Sequence, residues 1–156
     1  DKIIEHWDVI APYVAQTPSG HTKTDGPTKV TDLDKTDENK ALIGNLVRDV
    51  LMGENPHNID KYISSETYIQ HNAEVPDGLE HLKPLALSAD RQLTYQEIVL
   101  LVGQGNFVAT LCKATWEGEP YAQVDLFRIE DGLVVEHWDN VEPVPPKEEW
   151  ANSGKF

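Results

Sequence analysis

The chain has 156 residues and a formal net charge of -14 at pH 7, a length that suits one ordinary domain with a real hydrophobic core. The acidic balance excludes a phosphate-gathering surface, which needs clustered Lys and Arg. No apolar run is long enough to cross a bilayer, so neither nucleic acid nor membrane is an expected partner.

Residues 1 to 12 read as an amphipathic strand rather than a basic-then-apolar leader, with Ile3-Ile4 and Val9-Ile10 in it and Pro12 ending it. Residues 13 to 35 form a connector carrying the turn sequences Thr17-Pro18-Ser19-Gly20 and Asp25-Gly26-Pro27. A connector that long wraps the surface or links two units. Thr36-Asp37-Glu38 opens a helix whose apolar stripe is Leu42, Ile43, Leu46, Val47, Val50 and Leu51, with Gly53 as its stop. A short helical turn over 58–63 and an extended piece over 67–71 follow. Pro76-Asp77-Gly78 is a turn, and a second helix runs over 79–92 with Pro84 in its early part.

From Leu93 the hydrophobic period changes to two. Strands are expected over 94–102, 107–116, 121–129 and 133–141, joined by Gly103-Gln104-Gly105-Asn106, Glu117-Gly118-Glu119-Pro120 and Glu130-Asp131-Gly132. Helices followed by an antiparallel meander predict an α+β fold, with helices on one face of a curved sheet. The run Val99 to Val102 is apolar on both faces, so part of the sheet is covered on both sides, one of them a candidate subunit interface. The single Cys112 sits in an apolar stretch and reads as a buried small hydrophobe. Without a disulfide to read, the default setting is cytoplasmic.

Glu5-His6-Trp7-Asp8 recurs as Glu136-His137-Trp138-Asp139, each copy after a β-branched pair and four residues before a proline, Pro12 or Pro143. One strand design is therefore used twice, at opposite ends of the chain. Taken in order, Tyr68-Ile69-Gln70-His71-Asn72, Asp77-Gly78-Leu79, Asp125 through Gly132 and Glu136-His137-Trp138-Asp139 resemble the SnoaL-like polyketide cyclase family. That family belongs to the nuclear transport factor 2-like (cystatin-like) α+β cone superfamily, and the resemblance covers roughly residues 36 to 145. It implies a cone-shaped barrel of curved antiparallel sheet packed against N-terminal helices, assembling as a homodimer. The tail from Pro143 to Trp150 and the stretch 21–35 resemble a subgroup with two such domains in tandem. On that reading residues 1–12 are an orphan strand repeating the domain's last strand, 13–35 the connector and 36–156 the SnoaL-like domain. The plainer alternative makes 1–12 the N-terminal strand of a single domain. Either way its unpaired backbone is expected to add to a sheet edge, its own or a neighbour's.

In the cyclase relatives the carboxylate at the position of Asp139 is the general acid/base of an intramolecular aldol closure, and no cofactor or metal takes part. The position of Gln123 matches a polar pocket residue there, whereas Asp125 stands where those cyclases carry histidine. Strand alternation puts Leu133, Val135, His137 and Asp139 on one face and Gln123, Asp125 and Phe127 together on the neighbouring strand. A carboxylate enclosed by apolar walls is a better base than one in water, and two close together hold one proton between them. Asp139 and Asp125 are thus the candidate catalytic pair. Gln123, His137 and His71 are candidate donors to an enolate oxygen, and Trp116, Tyr68 and Phe127 candidate pocket wall for a hydrophobic carbonyl compound.

Each assignment has a plainer counterpart. Asp139 caps a turn or pairs with a cation, Asp125 pairs with Arg128 or Arg91, His71 fixes a loop, and the aromatics fill core. His6 and His137 lack a third ligand at metal spacing, so no metal site is expected. An epoxide-hydrolase set of Asp, Arg and Asp around a water is disfavoured because Arg128 has the wrong strand parity. A non-catalytic small-molecule binding module, or an assembly module, of the same fold is the alternative to an enzyme.

Overall fold

The computed structural model describes residues 2–156. A short 3-10 turn, Leu33–Lys35, leads straight into helix α1, Thr36–Leu46. No side chain caps α1, and Asp37 and Glu38 in its first turn supply the negative charge that the N-terminal dipole favours. The helix widens into a π turn over Val47–Leu51, and Gly53 ends it at a φ of 86°. The expected stripe is the buried one, with Ile43, Leu46, Val47 and Val50 sealed and Leu42 and Leu51 at its margin. A 3-10 segment, Pro56–Lys61, stands near the turn expected over 58–63.

Helix α2 spans Leu79–Leu87 and stops short of Gln92. Pro84 has no N–H to give to the preceding turn, and Ser88 is extended. Arg91 then folds back, donating to the carbonyls of Val50 at 2.6 Å and Leu51 at 3.2 Å and to that of Ala86, so one guanidinium serves the C-terminal ends of both helices.

The strands are β1, Ile69–Gln70; β2, Leu93–Gln104; β3, Phe107–Trp116; β4, Glu119–Glu130; and β5, Leu133–Pro143. They form one open, curved sheet in the order β1-β5-β4-β3-β2, antiparallel except that β1 runs parallel to β5. Asp131 and Gly132, at φ of 49° and 76°, make the tight β4–β5 turn whose twist suits a hairpin. Two register shifts bend β2, one between Tyr95 and Glu97, the other between Ile98 and Leu100. The helices fill the concave face, where Tyr95, Val108, Cys112, Phe127, Ile129 and Val134 meet the α1 stripe, Ile59, Ile63, Leu79 and Ala86.

A third shift, between Arg128 and Ile129, leaves Val135 unpaired and corrects the expected parity of β5. Val134 turns into the core opposite Ile129, while Leu133 pairs with Glu130. Leu133 and Val135 therefore do not share the face of His137 and Asp139.

Residues 2–12 form no strand, so the expected extra N-terminal strand is absent from the described residues; Asp1 lies outside them. A strand needs a partner edge; β1 at Glu136–His137 and Ile63 at Val134 take up part of the β5 edge, and residues 2–12 pair with none. Its second half is tied to the rest of the chain, where Ile10 N–H donates to Glu142 Oε2 at 2.8 Å and Lys155 Nζ reaches Asp8 Oδ1 at 3.0 Å. Ile3 and Ile4 are left 88% and 97% exposed.

The connector is a strap over the convex face. Ser19 Oγ accepts from Asp77 N–H at 2.8 Å, the Asp25 carbonyl accepts from Trp138 Nε1 at 2.8 Å, and Thr31 N–H donates to Asn106 Oδ1 at 2.9 Å. Gly26, at a φ of 117°, presses so closely on Trp138 that a Cβ there would lie 2.7 Å from the ring.

Candidate active site

Asp125 and Asp139 are register partners on β4 and β5, with Phe127 opposite His137 one step along the same face. A hollow of about 360 Å3 opens beside them between the sheet and the helices. Its lining includes Gln70, Asn72, Tyr95, Trp116, His137 and Asp139, with Leu51, Leu82 and Leu85 as apolar wall. The pairing of β4 with β5 brings the two carboxylates together, but their surroundings differ sharply.

Asp125 is completely buried and saturated. Its Oδ1 accepts from the Tyr95 hydroxyl at 3.0 Å and Gln123 Nε2 at 3.1 Å and lies 3.0 Å from His137 Nε2, and its Oδ2 accepts from Thr110 Oγ1 at 3.3 Å. His137 is locked on its other side as well. Gln70 Oε1 accepts from the Asn72 backbone N–H at 3.1 Å, so that oxygen also accepts from His137 Nδ1 at 2.9 Å. The His137 ring thus bridges Gln70 and Asp125 with no nitrogen to spare. Phe127 stacks on this ring at 4.9 Å.

Asp139 is the opposite case. Its Oδ2 accepts from Asn72 Nδ2 at 2.5 Å, while its Oδ1 is buried with no hydrogen-bond partner. The nearest cation is Lys23 of the strap, Nζ 3.9 Å from Oδ1. No hydrogen bond joins Asp139 to Asp125, so the proton-sharing pair expected between them is not formed. The negative field of both is felt nearby. Burial first, and then these two carboxylates, push the Tyr95 and Tyr68 hydroxyls well above the usual tyrosine range. Burial and Asp125 likewise push the Cys112 thiol up to about 12, which leaves it a small hydrophobe.

Two candidate pocket residues lie elsewhere. Tyr68 is core, its hydroxyl accepting from Gln70 Nε2 at 3.1 Å. His71 belongs to the convex face, because β1 ends at Gln70 and the next side chain turns away from the hollow. There its Nδ1 faces the Thr22 carbonyl at 2.7 Å and Asp25 Oδ1 at 3.0 Å, its Nε2 faces Glu136 Oε1 at 2.9 Å, and its ring stacks on Trp138 at 4.7 Å. Arg128 Nε donates to Glu136 Oε2 at 2.6 Å on the same face. His71 therefore pins the strap and cannot donate into the hollow, and Arg128 is as remote from the two aspartates as its parity predicted. Gln123 and Phe127 buttress Asp125 and His137; Trp116 does line the hollow.

Tyr95, Thr110, Gln70 and Asn72 escaped the sequence reading. Gln70 and Asn72 lie inside a motif already noted, but only the parallel pairing of β1 with β5 shows that they support His137 and Asp139. Tyr95 was hidden by the shifts in β2. No group of His, Cys, Asp and Glu among the described residues could hold a metal ion. No helix of the described residues is long and apolar enough to cross a membrane.

Compared by sequence, the chain matches no family model and no curated protein. Compared by structure, it is similar to a candidate ketosteroid isomerase from Kribbella flavida, with a TM-score of 0.60 at 18% identity over 76% of this chain and 90% of that one. It is similar to IdmH, a candidate polyketide cyclase from Streptomyces antibioticus, with a TM-score of 0.52 at 20% identity over 67% and 92% of the two chains. A nuclear transport factor 2-like protein of unknown function from Cytophaga hutchinsonii matches with a TM-score of 0.56 at 16% identity over 76% and 96%. At such identities the likeness is one of architecture, and the chain has the nuclear transport factor 2-like α+β cone fold.

Proposed function

We propose that this protein is a cofactor-independent enzyme in which Asp139 moves a proton next to the carbonyl of a hydrophobic small molecule, in the manner of a cyclase or isomerase. The observation that carries the reading is the contrast between the two aspartates. Both oxygens of Asp125 are met by protein groups and the carboxylate is sealed from the hollow, so it is a positioning residue that holds His137 and Tyr95. Asp139 lines the hollow and keeps an oxygen that no protein group satisfies. A buried acceptor left open beside a largely apolar cavity is the arrangement a general base requires. Asn72 Nδ2, already 2.5 Å from Asp139, orients the carboxylate. The structural neighbours named for isomerase and cyclase activity share the fold and so support the reading without fixing a substrate.

The test uses 2-tetralone, a flat bicyclic ketone, in heavy water. NMR follows deuterium entering the carbon next to the carbonyl. Exchange above the buffer rate is expected, and Asp139→Asn should reduce that excess by roughly 100-fold to 10,000-fold, the span of general-base catalysis. Full activity in Asp139→Asn, or no excess exchange with 2-tetralone and related polycyclic ketones, overturns the reading. Binding without exchange would leave the fold a binding module.

A further inference from the structure

An enolate needs a hydrogen-bond donor beside its oxygen, and none of the three side chains expected from the sequence can serve. Gln123 is sealed and donates to Asp125 at 3.1 Å, both nitrogens of His137 are engaged by Gln70 and Asp125, and His71 lies on the convex face against Glu136 and the strap. Building on the reading of Asp139 as the base, we infer that Asn72 is a second catalytic residue. Its second amide N–H donates to the substrate oxygen while Asp139 takes the proton from the neighbouring carbon.

The amide of Asn72 is fixed in one orientation. Its Oδ1 accepts from the backbone N–H of Glu74 at 2.8 Å and of Val75 at 3.1 Å, so the nitrogen is the end that meets Asp139. That nitrogen carries two hydrogens. One goes to Asp139 Oδ2 at 2.5 Å, and the other has no acceptor among the described residues. Asn72 and Asp139 line the same hollow, so this N–H and the unpartnered Oδ1 stand in one wall, a single hydrogen bond apart. In a ketone the oxygen and the carbon that loses its proton are attached to the same carbonyl carbon. An amide and a carboxylate in contact can therefore reach both at once.

The other polar groups of the hollow are engaged or distant. The Tyr95 hydroxyl faces both oxygens of Asp125, at 3.0 and 3.2 Å, Gln70 Nε2 donates to Tyr68, and Arg91 serves the helix carbonyls. Trp116 Nε1 has no partner among the described residues, but Trp116 stands six residues along β3 from Thr110, the register neighbour of Asp125. At about 3.3 Å per residue that places it roughly 20 Å along the strand, at the far end of the hollow.

The experiment separates donation to substrate from mere orientation of Asp139. 2-Tetralone, isotope-labelled at the carbonyl carbon, is bound to excess protein, and infrared spectroscopy reads the carbonyl stretch, which falls when the oxygen accepts a hydrogen bond. In wild type the band should lie below its position in hexane. Asn72→Asp has the same shape, keeps an oxygen for the Glu74 and Val75 N–H groups and removes both amide hydrogens. Any proton it shares with Asp139 lies between the two carboxylates. In this variant the band should rise to the hexane position, and deuterium exchange should fall by roughly 100-fold to 1,000-fold. If it does not fold, Asn72→Leu, which fills the same space without an N–H, decides by the same readings. In Asp139→Asn, exchange should be lost with the band still low. A wild-type band at the hexane position, or a band unmoved in Asn72→Asp, overturns the inference. So does exchange lost in Asn72→Asp without a change in the band, which gives Asn72 a positioning role alone. A low band in wild type without any exchange keeps Asn72 as the donor and removes Asp139 as the base, so the two failures are told apart. 2-Tetralone that does not bind overturns both.

Discussion

The two aspartates should respond to the same substitution in different ways. In Asp125→Asn the carboxylate that receives Tyr95, Gln123, Thr110 and His137 becomes a neutral amide. Its remaining oxygen still accepts from Gln123 and His137, but the new amino group faces two hydroxyls, which must turn round to accept. A hydrogen bond to a charged group is worth about 1.5–3 kcal/mol and a neutral one about 0.5–1.5, so three or four weakened bonds cost about 3 kcal/mol. In Asp139→Asn the amide oxygen keeps the bond from Asn72, the unpartnered charged oxygen disappears, and Lys23 loses a counter-ion 3.9 Å away. Those gains and losses offset each other to within about 1 kcal/mol. Urea denaturation followed by tryptophan fluorescence, with m unchanged, reads the difference directly. A melting temperature lower by roughly 6–12 °C is expected for Asp125→Asn, against a few degrees or less for Asp139→Asn. If Asp125→Asn lies within 1 kcal/mol of wild type, or the order of the two reverses, the division into a supporting and a reactive carboxylate fails.

Gly105 lies at a φ of 58° with its Cβ direction 1.9 Å from the Thr31 carbonyl, whereas Gly132, at 76°, has nothing within 4 Å. Gly105→Ala should therefore cost about 2 kcal/mol more than Gly132→Ala, by displacing the strap and its two bonds to Asn106, and equal losses in chemical denaturation would contradict this. The Tyr62 hydroxyl, donating to Asp49 Oδ2 at 2.6 Å, is pushed up to about 12, chiefly by that bond. Because the folded value lies above the unfolded one near 10, its stabilisation is complete below pH 10 and is lost as the pH rises through 12. Tyr62→Phe should flatten the stability profile over that window, and an unchanged slope would argue against the bond. If the exposed Ile3-Ile4 segment docks on a second copy, deleting residues 2–12 should lower the mass measured by light scattering; an unchanged assembly would show that it does not.

Much of the architecture could be read from local pattern. The stripe from Leu42 to Leu51, the change of period at Leu93 and the turn Asp131-Gly132 each bias their own few residues, so they predicted α1, the four long strands and the antiparallel meander. The candidate site was legible only where alternation survives, as it does for Gln123, Asp125 and Phe127 on β4 and for His137 and Asp139 beyond the bulge. Parity failed for Leu133 and Val135, where one unpaired residue turns the strand over. His71 was misplaced because a two-residue strand carries too little pattern to show which way its neighbour faces.

Residue order alone thus settled α1, the four long strands, the acidic character and the presence of two aspartates on neighbouring strands, because those follow from neighbours along the chain. Which aspartate is saturated and which is left open depended on partners such as Tyr95, Asn72 and Lys23, 30, 67 and 116 residues distant from them. A carboxylate's chemistry is set by what surrounds it in space, and that surrounding exists only once β1, the strap and the bent strand β2 have closed around the sheet.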